Sequence, residues 1–329
     1  MKRIRKSIKN SVVLVTGGAG FIGSHLVDRL LAEGAREVVI VDNMFLGNEK
    51  NLASALQNGA ILYKDDAEFN SSLEYIFSRH TVDIVFNAAT KALNYSFVNP
   101  ANAFSTNVNV VLNLLELQRR EAFTTLCHFS TSEVYGTAEY EPMDEKHPIN
   151  PTTSYAAGKA AADIAVRSYV KMFDLDAFIV RPFNNYGPRQ NSEGYLAGVI
   201  PITARRIING QQPVIYGTGK QTRDFIYVGD TVDAILAVYT KMEPGMSVNI
   251  STDNQIAIKD VIQKIMDRMG YQGEIAYKEE RRADVINHIA SNAKIKSMID
   301  YQLTSFEKGL KKTLDWYTNN ITPPNDPAY

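Results

Sequence analysis

The sequence predicts an α/β fold, in which a doubly wound parallel sheet is followed by a smaller C-terminal α/β lobe. Short apolar runs rich in β-branched residues alternate with helical patterns over the first 180 residues. A glycine-rich turn joins the first apolar run to the first helical pattern. After residue 182 glycine, proline and asparagine become frequent and the elements shorten. Strand–helix alternation at this spacing is typical of βαβ units with right-handed crossovers.

The predicted elements follow in chain order. Strands are predicted over 12–15, 37–41, 61–63, 83–86, 125–129, 177–180 and 247–250. Helices are predicted over 20–33, 70–80, 101–121, 152–173, 229–241, 257–269 and 305–318. We therefore divide the chain into a basic tail expected to be a solvated arm (1–10), a sheet domain (11–182), a second lobe with segments that return to the sheet domain (183–320), and a C-terminal tail (321–329).

The composition argues against several classes of protein. Lysine and arginine total 35 against 36 acidic residues, so no overall positive field would attract nucleic acid. The single cysteine, Cys127, excludes an intrachain disulfide and suits a reducing compartment, and we expect a cytoplasmic protein. Because the five histidines lack ligand spacing and no apolar run approaches 18 residues, we expect neither a metal site nor a membrane span.

The glycine-rich turn predicts a dinucleotide site. Gly17, Gly20 and Gly23 have the spacing that a tight turn, close approach of backbone to pyrophosphate and close helix–strand packing require. The following helix N-terminus offers N–H groups and the positive end of its dipole. Asp42 ends the next predicted strand, where a carboxylate can accept hydrogen bonds from ribose hydroxyls and would repel a 2′-phosphate. We therefore predict a Rossmann domain that binds NAD.

A tyrosine and a lysine on one predicted helix indicate base chemistry. Tyr155 and Lys159 are four residues apart and share a helix face. An ammonium near a phenol stabilises the phenolate, which would let the tyrosine act as a base near neutral pH. The polar run at 131–133 follows the fifth predicted strand, and the carboxyl ends of parallel strands face the ligand crevice. We therefore expect these residues to form one catalytic site.

Together these motifs resemble the extended short-chain dehydrogenase/reductases, the NAD-dependent epimerase/dehydratase family of nucleotide-sugar enzymes, over nearly the whole chain. The matching stretches are 16–23, 41–43, 87–89, 130–136, 155–159, 181–188 and 222–228. The resemblance implies NAD as cofactor, a nucleotide-sugar substrate and a homodimer built on the helices at 101–121 and 152–173. The cofactor contacts that it implies are Gly17, Gly20, Phe21, Ile22, Gly23, Asp42, Asn43, Asp65 or Asp66 at the adenine amine, Ala88, Ala89, Lys91, Asn107, Ser130, Tyr155, Lys159 and Pro182.

The resemblance also implies a reaction. Tyr155 would take the proton of the sugar 4-hydroxyl while a hydride passes from C4 to NAD, and Thr131 would hydrogen-bond the same oxygen. The run Thr131-Ser132-Glu133 resembles 4,6-dehydratases of the GDP-mannose type, whereas 4-epimerases usually lack the acid. Glu133 would remove the C5 proton, and Ser132 or a water that it holds would assist departure of the 6-hydroxyl. The product would be a 4-keto-6-deoxy sugar nucleotide.

Three alternatives stay open. UDP-glucuronate decarboxylases carry the same triplet, although their tyrosine helix usually resembles Cys-Tyr-Asp-Glu-Gly-Lys. Lys91 could favour a carboxylate or a phosphate, which keeps the decarboxylase open. A 4-epimerase and a non-catalytic NAD-binding protein are the others. The loop 92–97, with Tyr95 and Ser96, resembles N-acetylhexosamine dehydratases and favours GDP- or UDP-N-acetylglucosamine as the substrate.

The resemblance places the substrate diphosphate near Asn184, Arg223 and Arg281. A guanidinium suits this contact because its planar fork binds phosphate oxygens in pairs. The family usually shows Arg-Pro-Gly-Asp where this chain has Arg-Arg-Ala-Asp at 281–284, so Arg282 is an alternative to Arg281. The identity of the nucleotide base stays open. The remaining substrate contacts implied are Lys91, Tyr95, Ser96, Val199, Pro201 and Tyr216.

Overall fold

The computed structural model describes residues 5–279 and 289–321. The strands are β1 (Val12–Thr16), β2 (Glu37–Val41), β3 (Ile61–Tyr63), β4 (Ile84–Asn87), β5 (Thr125–Phe129), β6 (Asp176–Pro182), β7 (Asn184–Tyr186), β8 (Val214–Tyr216), β9 (Thr222–Arg223), β10 (Phe225–Tyr227), β11 (Ser247–Ile250), β12 (Ile256–Ala257) and β13 (Ala276–Lys278). The helices are α1 (Phe21–Ala32), α2 (Ala53–Gln57), α3 (Asn70–Arg79), α4 (Pro100–Arg119), α5 (Ser154–Phe173), α6 (Val199–Ile208), α7 (Val228–Tyr239), α8 (Ile258–Met269), α9 (Ala293–Met298) and α10 (Phe306–Asn320).

The central sheet confirms the predicted doubly wound architecture. Within the described residues it has seven strands in the order β11-β6-β5-β4-β1-β2-β3, and every pairing is parallel. The inner strands read as continuous apolar runs because helices cover both faces of the sheet. The order reverses between β1 and β4, which is the switch point where such sheets bind ligands.

Helix packing on one face of the sheet depends on a glycine. A β-carbon on Gly158 of α5 would stand 2.8 Å from the carbonyl oxygen of Phe104 in α4. The missing side chain therefore lets the two helices approach closely. This approach fixes the N-terminal half of α5, which carries Tyr155 and Lys159, against α4.

The chain after β6 builds a second lobe and also returns to the sheet. Helices α6, α8 and α10 enclose an apolar core that includes Tyr186, Phe225 and Leu310. Three two-stranded pairings, β7 with β10, β9 with β12 and β8 with β13, border this core. Strand β11 instead pairs with β6 and completes the edge of the central sheet.

The basic N-terminal segment differs from the expected solvated arm. The Arg5 guanidinium donates from Nε to both carboxylate oxygens of Asp176, at 3.0 and 2.8 Å. Its Cζ lies 4.6 Å from the centroid of the Phe178 ring, and the side chain is only 7% exposed. The Tyr239 hydroxyl donates to the Lys6 carbonyl at 3.0 Å. Residues 5–10 therefore pack on the start of β6 and the end of α7. The Arg5 guanidinium pairs there with the carboxylate of Asp176 and lies over the rings of Phe178 and Tyr239.

Candidate active site

The turn between β1 and α1 requires glycine at two positions. Gly17 has a φ of +68° and donates its N–H to the Val41 carbonyl at 2.8 Å. A β-carbon on Gly17 would stand 2.7 Å from the Cα of Ala89, and one on Gly23 would stand 2.2 Å from the Gly17 carbonyl oxygen. Gly20, the N-cap of α1, supplies no side chain to cap the helix. The bare backbone therefore forms a cradle at the positive end of the helix dipole.

Asp42 lies at the end of β2, beside this cradle. Its two carboxylate oxygens accept hydrogen bonds from the N–H groups of Ala19 and Met44, both at 2.9 Å. Burial raises the pKa of the Asp42 carboxyl, while these backbone hydrogen bonds oppose the rise. The carboxylate is held rigidly on the cavity wall, where the sequence predicts a contact with ribose hydroxyls.

Two further acidic residues line the same end of the cavity. Asp65 accepts a hydrogen bond from the Ser72 hydroxyl at 2.8 Å. Asp66 accepts one from the Asn43 side-chain amide at 2.7 Å. Asn43, Asp65 and Asp66 all line the cavity, and the predicted contact of one of these carboxylates with the adenine amine stays a prediction.

The polar run after β5 and the first turn of α5 meet in the cavity. Thr131 caps the short turn at 132–135, and its Oγ1 accepts a hydrogen bond from the Glu133 N–H at 3.2 Å. Thr131, Ser132, Glu133 and Tyr155 all line the cavity. Burial raises the pKa of Tyr155 to about 12, and the negative charge of Glu133 adds to the rise, against hydrogen bonds from Thr131 and Thr90.

The side chain of Lys159 is held by burial and by a hydrogen bond to the backbone. Its ammonium donates to the Phe129 carbonyl at 2.8 Å, and its side chain is buried. Burial and the charge of Glu133 outweigh the hydrogen bonds to Tyr155 and raise its pKa in the protein alone, and the stabilisation of the phenolate by Lys159 beside bound NAD stays a prediction. Burial also lowers the pKa of Lys159, to about 8, against the charge of Asp163.

Thr90 is a site residue that the sequence analysis missed. Its hydroxyl donates to the Asn107 side-chain oxygen at 2.9 Å and hydrogen-bonds Tyr155. The same Asn107 oxygen accepts the Lys91 N–H at 3.0 Å. Asn107 therefore fixes the loop after β4 from behind, without lining the cavity itself. The position of Thr90 directly after Ala88 and Ala89, at a strand's carboxyl end, was the available signal.

Lys91 lies inside the cavity wall. Its ammonium is 4.2 Å from the centroid of the Phe45 ring and 5.7 Å from that of Tyr95. The whole residue is only 9% exposed. The aromatic faces partly compensate the cation for its burial.

One cavity of about 620 Å³ joins these parts. Arg281 and Arg282 lie outside the described residues. Three predicted residues, Tyr95, Ser96 and Asn107, do not line it; the Ser96 hydroxyl donates instead to the Leu93 carbonyl at 2.6 Å. Lining residues that were not predicted include Thr90, Asn185, Gln190, Arg206 and Lys278. The predicted lining residues are Gly17, Gly20, Phe21, Ile22, Gly23, Asp42, Asn43, Asp65, Asp66, Ala88, Ala89, Lys91, Ser130, Thr131, Ser132, Glu133, Tyr155, Lys159, Pro182, Asn184, Val199, Pro201, Tyr216 and Arg223.

The second lobe brings polar groups to the far end of the cavity. Arg223 lies on β9, which pairs with β12, and donates to the Thr222 carbonyl at 2.9 Å. The Nδ2 of Asn184 is buried without a hydrogen-bond partner among the described residues. A buried amide that faces a cavity without a partner suits a ligand oxygen.

Two negative findings concern the described part of the chain. No group of three or more His, Cys, Asp or Glu residues there is arranged to hold a metal ion. No helix there has the length and apolar character that a membrane span requires.

The fold and the cavity define a dinucleotide-dependent enzyme. The Gly17 cradle, Asp42, and the buried Ser130 hydroxyl without a partner in the described residues fit NAD. The chain belongs to the NAD-dependent epimerase/dehydratase family of sugar-nucleotide enzymes: residues 14–313 match the family model described as GDP-mannose 4,6 dehydratase.

Relatives in this family catalyse different reactions. A UDP-glucose 4-epimerase of Mycolicibacterium smegmatis is 32% identical over 93% of this chain and 98% of its own. A UDP-glucuronic acid decarboxylase 1 of Xenopus tropicalis is 32% identical, over 94% and 72%. A dTDP-glucose 4,6-dehydratase of Xanthomonas campestris pv. campestris is 32% identical, over 94% and 93%. The family is therefore established, whereas the reaction depends on the site.

Solved structures agree with the fold. The UDP-glucose 4-epimerase of Thermotoga maritima with UDP-glucose has a TM-score of 0.88 at 31% identity, covering 94% of this chain and 99% of that one. The dTDP-glucose 4,6-dehydratase DesIV of Streptomyces venezuelae, with NAD bound, has a TM-score of 0.88 at 28% identity, covering 94% and 97%. NAD is the cofactor of the family.

Proposed function

We propose that the protein is a nucleotide-sugar 4,6-dehydratase, which converts its substrate to a 4-keto-6-deoxy sugar nucleotide. The observation that carries the proposal is the carboxylate of Glu133. It lines the cavity beside Tyr155 and is close enough for its charge to raise the pKa of the phenol. A 4-epimerase needs no second base in this position, whereas removal of a proton from C5 does.

Tyr155 would start the reaction by taking the proton of the sugar 4-hydroxyl. NAD, when bound, would supply the hydride acceptor for C4 and the hydride donor for C6. Because the pKa of Tyr155 is about 12 in the protein alone, the phenol needs nearby positive charge to act as a base near neutral pH. Lys159, one helical turn away, supplies such a charge. Thr131 and Thr90 would hold the phenol oxygen in place.

Glu133 would perform the elimination. A ketone at C4 acidifies the C5 proton, which the carboxylate takes, and the electron pair expels the 6-hydroxyl. Ser132, or a water that it holds, would donate the proton with which that group leaves as water. Glu133 would return its proton to C5, and the proton that Tyr155 took from the 4-hydroxyl would pass through solvent to Ser132, so that all three side chains are restored.

The second lobe would bind the nucleotide. Arg223 and the amide of Asn184, which has no partner among the described residues, suit the diphosphate. Val199, Pro201 and Tyr216 line the far end of the cavity, where a base would lie. The loop resemblance at 92–97 favours GDP- or UDP-N-acetylglucosamine as the substrate.

One observation favours a second candidate. The buried ammonium of Lys91 on the cavity wall suits a sugar carboxylate, and a family relative is a UDP-glucuronic acid decarboxylase. A carboxylate at C6 would leave as carbon dioxide after C4 oxidation, without the elimination that Glu133 serves.

We also infer a cytoplasmic homodimer. Phe104 on α4 and Ile164, Met172 and Phe173 on α5 are large apolar side chains exposed on neighbouring helices. A second copy of the chain would cover this surface with the same residues, as an interface with two-fold symmetry requires.

A panel of substrates tests the reaction. The purified protein is incubated with UDP- and GDP-linked N-acetylglucosamine, glucose, mannose and glucuronate, and the products are analysed by mass spectrometry and NMR. Loss of one water supports the dehydratase. Loss of carbon dioxide, or an unchanged mass with an altered NMR spectrum, replaces it by the decarboxylase or the 4-epimerase. Absence of any turnover overturns the proposal.

A further inference from the structure

Thr16, Asn87 and His128 form a row of buried polar side chains across the sheet. Each of them directly precedes a residue that lines the cavity. The Thr16 hydroxyl at the end of β1 donates to the Asn87 side-chain oxygen at 2.6 Å. The Asn87 amide lies 3.2 Å from Nδ1 of His128 in β5. Nε2 of His128 lies 3.7 Å from Oδ1 of Asp163. The row therefore leads from the cofactor cradle to a carboxylate inside α5.

The ion pair of Asp163 with Arg181 uses only one of the two carboxylate oxygens. Arg181 donates from Nε and Nη2 to the same oxygen, Oδ2, at 3.1 and 2.7 Å. Oδ1 has no hydrogen-bond partner among the described residues. Both residues are fully buried. Buried arginine–carboxylate pairs frequently use both oxygens of the carboxylate in a fork, since an unmet buried acceptor costs free energy. The unpartnered oxygen instead leaves negative charge near β5 and Lys159.

Lys159 lies one turn before Asp163 on α5, and both side chains are buried. The negative charge of Asp163 opposes the effect of burial, which lowers the pKa of Lys159 to about 8. Burial holds the pKa of His128 well below its usual value, with further lowering from Lys159 and Arg181, so the imidazole stays neutral near pH 7. The other charged or titratable groups around this cluster include Arg181, Arg167 and Tyr135 near the carboxylate, and Tyr155 with Glu133 beside it.

We propose that Asp163 is a positioning residue, which keeps the Lys159 ammonium charged and available to the cofactor from inside the helix. This inference rests on the proposed use of Tyr155 and Lys159 with NAD. It assigns to the buried Asp163–Arg181 pair a role in the reaction besides stability. Deprotonation of Lys159 would remove both a donor and the positive charge that Tyr155 needs.

The binding of NADH as a function of pH tests this role without a sugar substrate. NADH fluorescence titrations between pH 6 and 10 at constant ionic strength give the dissociation constant. Since a charged Lys159 favours the ligand, we expect affinity to fall as pH rises through the pKa of Lys159. The break should be absent in Lys159→Met. In Asp163→Asn it should move down by about one pH unit, and in Asp163→Glu, which keeps the charge, it should stay in place.

A double variant guards against loss of folding. Asp163→Asn leaves Arg181 buried without a partner, which can unfold the chain. Asp163→Leu with Arg181→Met removes both charges together, and such replacements are often neutral for stability. A break at lower pH in this variant supports the proposal. A break at the wild-type pH in every Asp163 variant that folds, the double variant included, overturns it. Neither result depends on the sugar panel, which tests the reaction separately.

Discussion

The ammonium of Lys91 lies 4.2 Å from the centroid of the Phe45 ring. This contact joins the loop after β4 to the loop after β2, on opposite sides of the switch point in the sheet. A cation is thereby held on the wall of the cavity.

Replacement of Lys91 by methionine keeps the apolar stem and removes the charge. If the ammonium binds a phosphate or carboxylate oxygen, we expect a loss of affinity of roughly 10- to 100-fold, since hydrogen bonds to charged groups contribute about 1.5–3 kcal/mol. Calorimetric titration with NAD and with UDP-glucuronate identifies the ligand affected. Lys64→Met is the matched control, because Lys64 is exposed and paired with Glu49. Unchanged affinity for both ligands would restrict Lys91 to packing on Phe45.

Glu133→Gln separates the two halves of the proposed reaction. The amide cannot remove the C5 proton, so the variant should oxidise C4 and then stop. Absorbance at 340 nm should rise to about one equivalent of NADH per site, with product formation reduced at least a hundredfold, the lower range for a lost general base. Glu139→Gln, at an exposed position, is the control. Normal turnover by the Glu133 variant would remove the residue from its role.

Gly23→Ala should weaken cofactor binding. The added β-carbon would stand 2.2 Å from the Gly17 carbonyl oxygen, which belongs to the cradle itself. The backbone must shift, and NAD affinity measured by calorimetry should fall more than tenfold. In Gly210→Ala the new methyl has open space at a φ of +68°. That control should lose about 1 kcal/mol of stability through backbone strain and keep its NAD affinity. Equal NAD affinity in both variants would contradict the assignment of this turn as the NAD site.

Asp224 should make stability depend on pH in an unusual direction. Burial raises the pKa of its carboxyl to about 6, against hydrogen bonds from the Thr252 side chain and backbone. The folded state then binds more protons than the unfolded state between about pH 4 and 6, so this contribution falls as pH rises. The loss should approach about 3 kcal/mol. Urea unfolding of wild type and Asp224→Asn at several pH values measures the difference, and a pH-independent difference would refute the assignment.

Charge placed on α5 should separate the proposed dimer. Ile164 is 59% exposed on this helix, and a glutamate there would bury a carboxylate in the interface. In analytical ultracentrifugation we expect wild type at twice the 36.7 kDa of one chain and Ile164→Glu at the monomer mass. Tyr277→Glu, at a site 65% exposed in the second lobe, should remain a dimer. A monomeric wild type would reject the interface.

Local sequence signals predicted the central sheet well. The apolar runs that became β1, β2, β5 and β6 are buried along their whole length or nearly so, because a parallel sheet covered on both faces needs continuous apolar strands. The roles of Gly17 and Gly23 could be predicted from their spacing in the sequence, since these roles depend only on the adjacent backbone. The strand at 247–250 could also be predicted, although its place beside β6 could not.

Features that depend on distant partners were not predictable. The burial of Arg5 requires Asp176 and Phe178, which are more than 170 residues away in the chain. The pairings of β8 with β13 and β9 with β12 involve strands of two or three residues, too short for a periodic pattern. The pKa of Tyr155 depends on burial, which no helix spacing encodes.

The place of β11 has a consequence for how this molecule could be divided. A fragment that ends at residue 182 would hold every strand that precedes the second lobe but would leave β6 as a bare edge, with the backbone of Ile179 to Pro182 unpaired. Such an edge invites association with other chains. The sheet domain therefore cannot be exchanged among proteins as an independent module, and recombination that keeps it intact must also carry Ser247–Ile250.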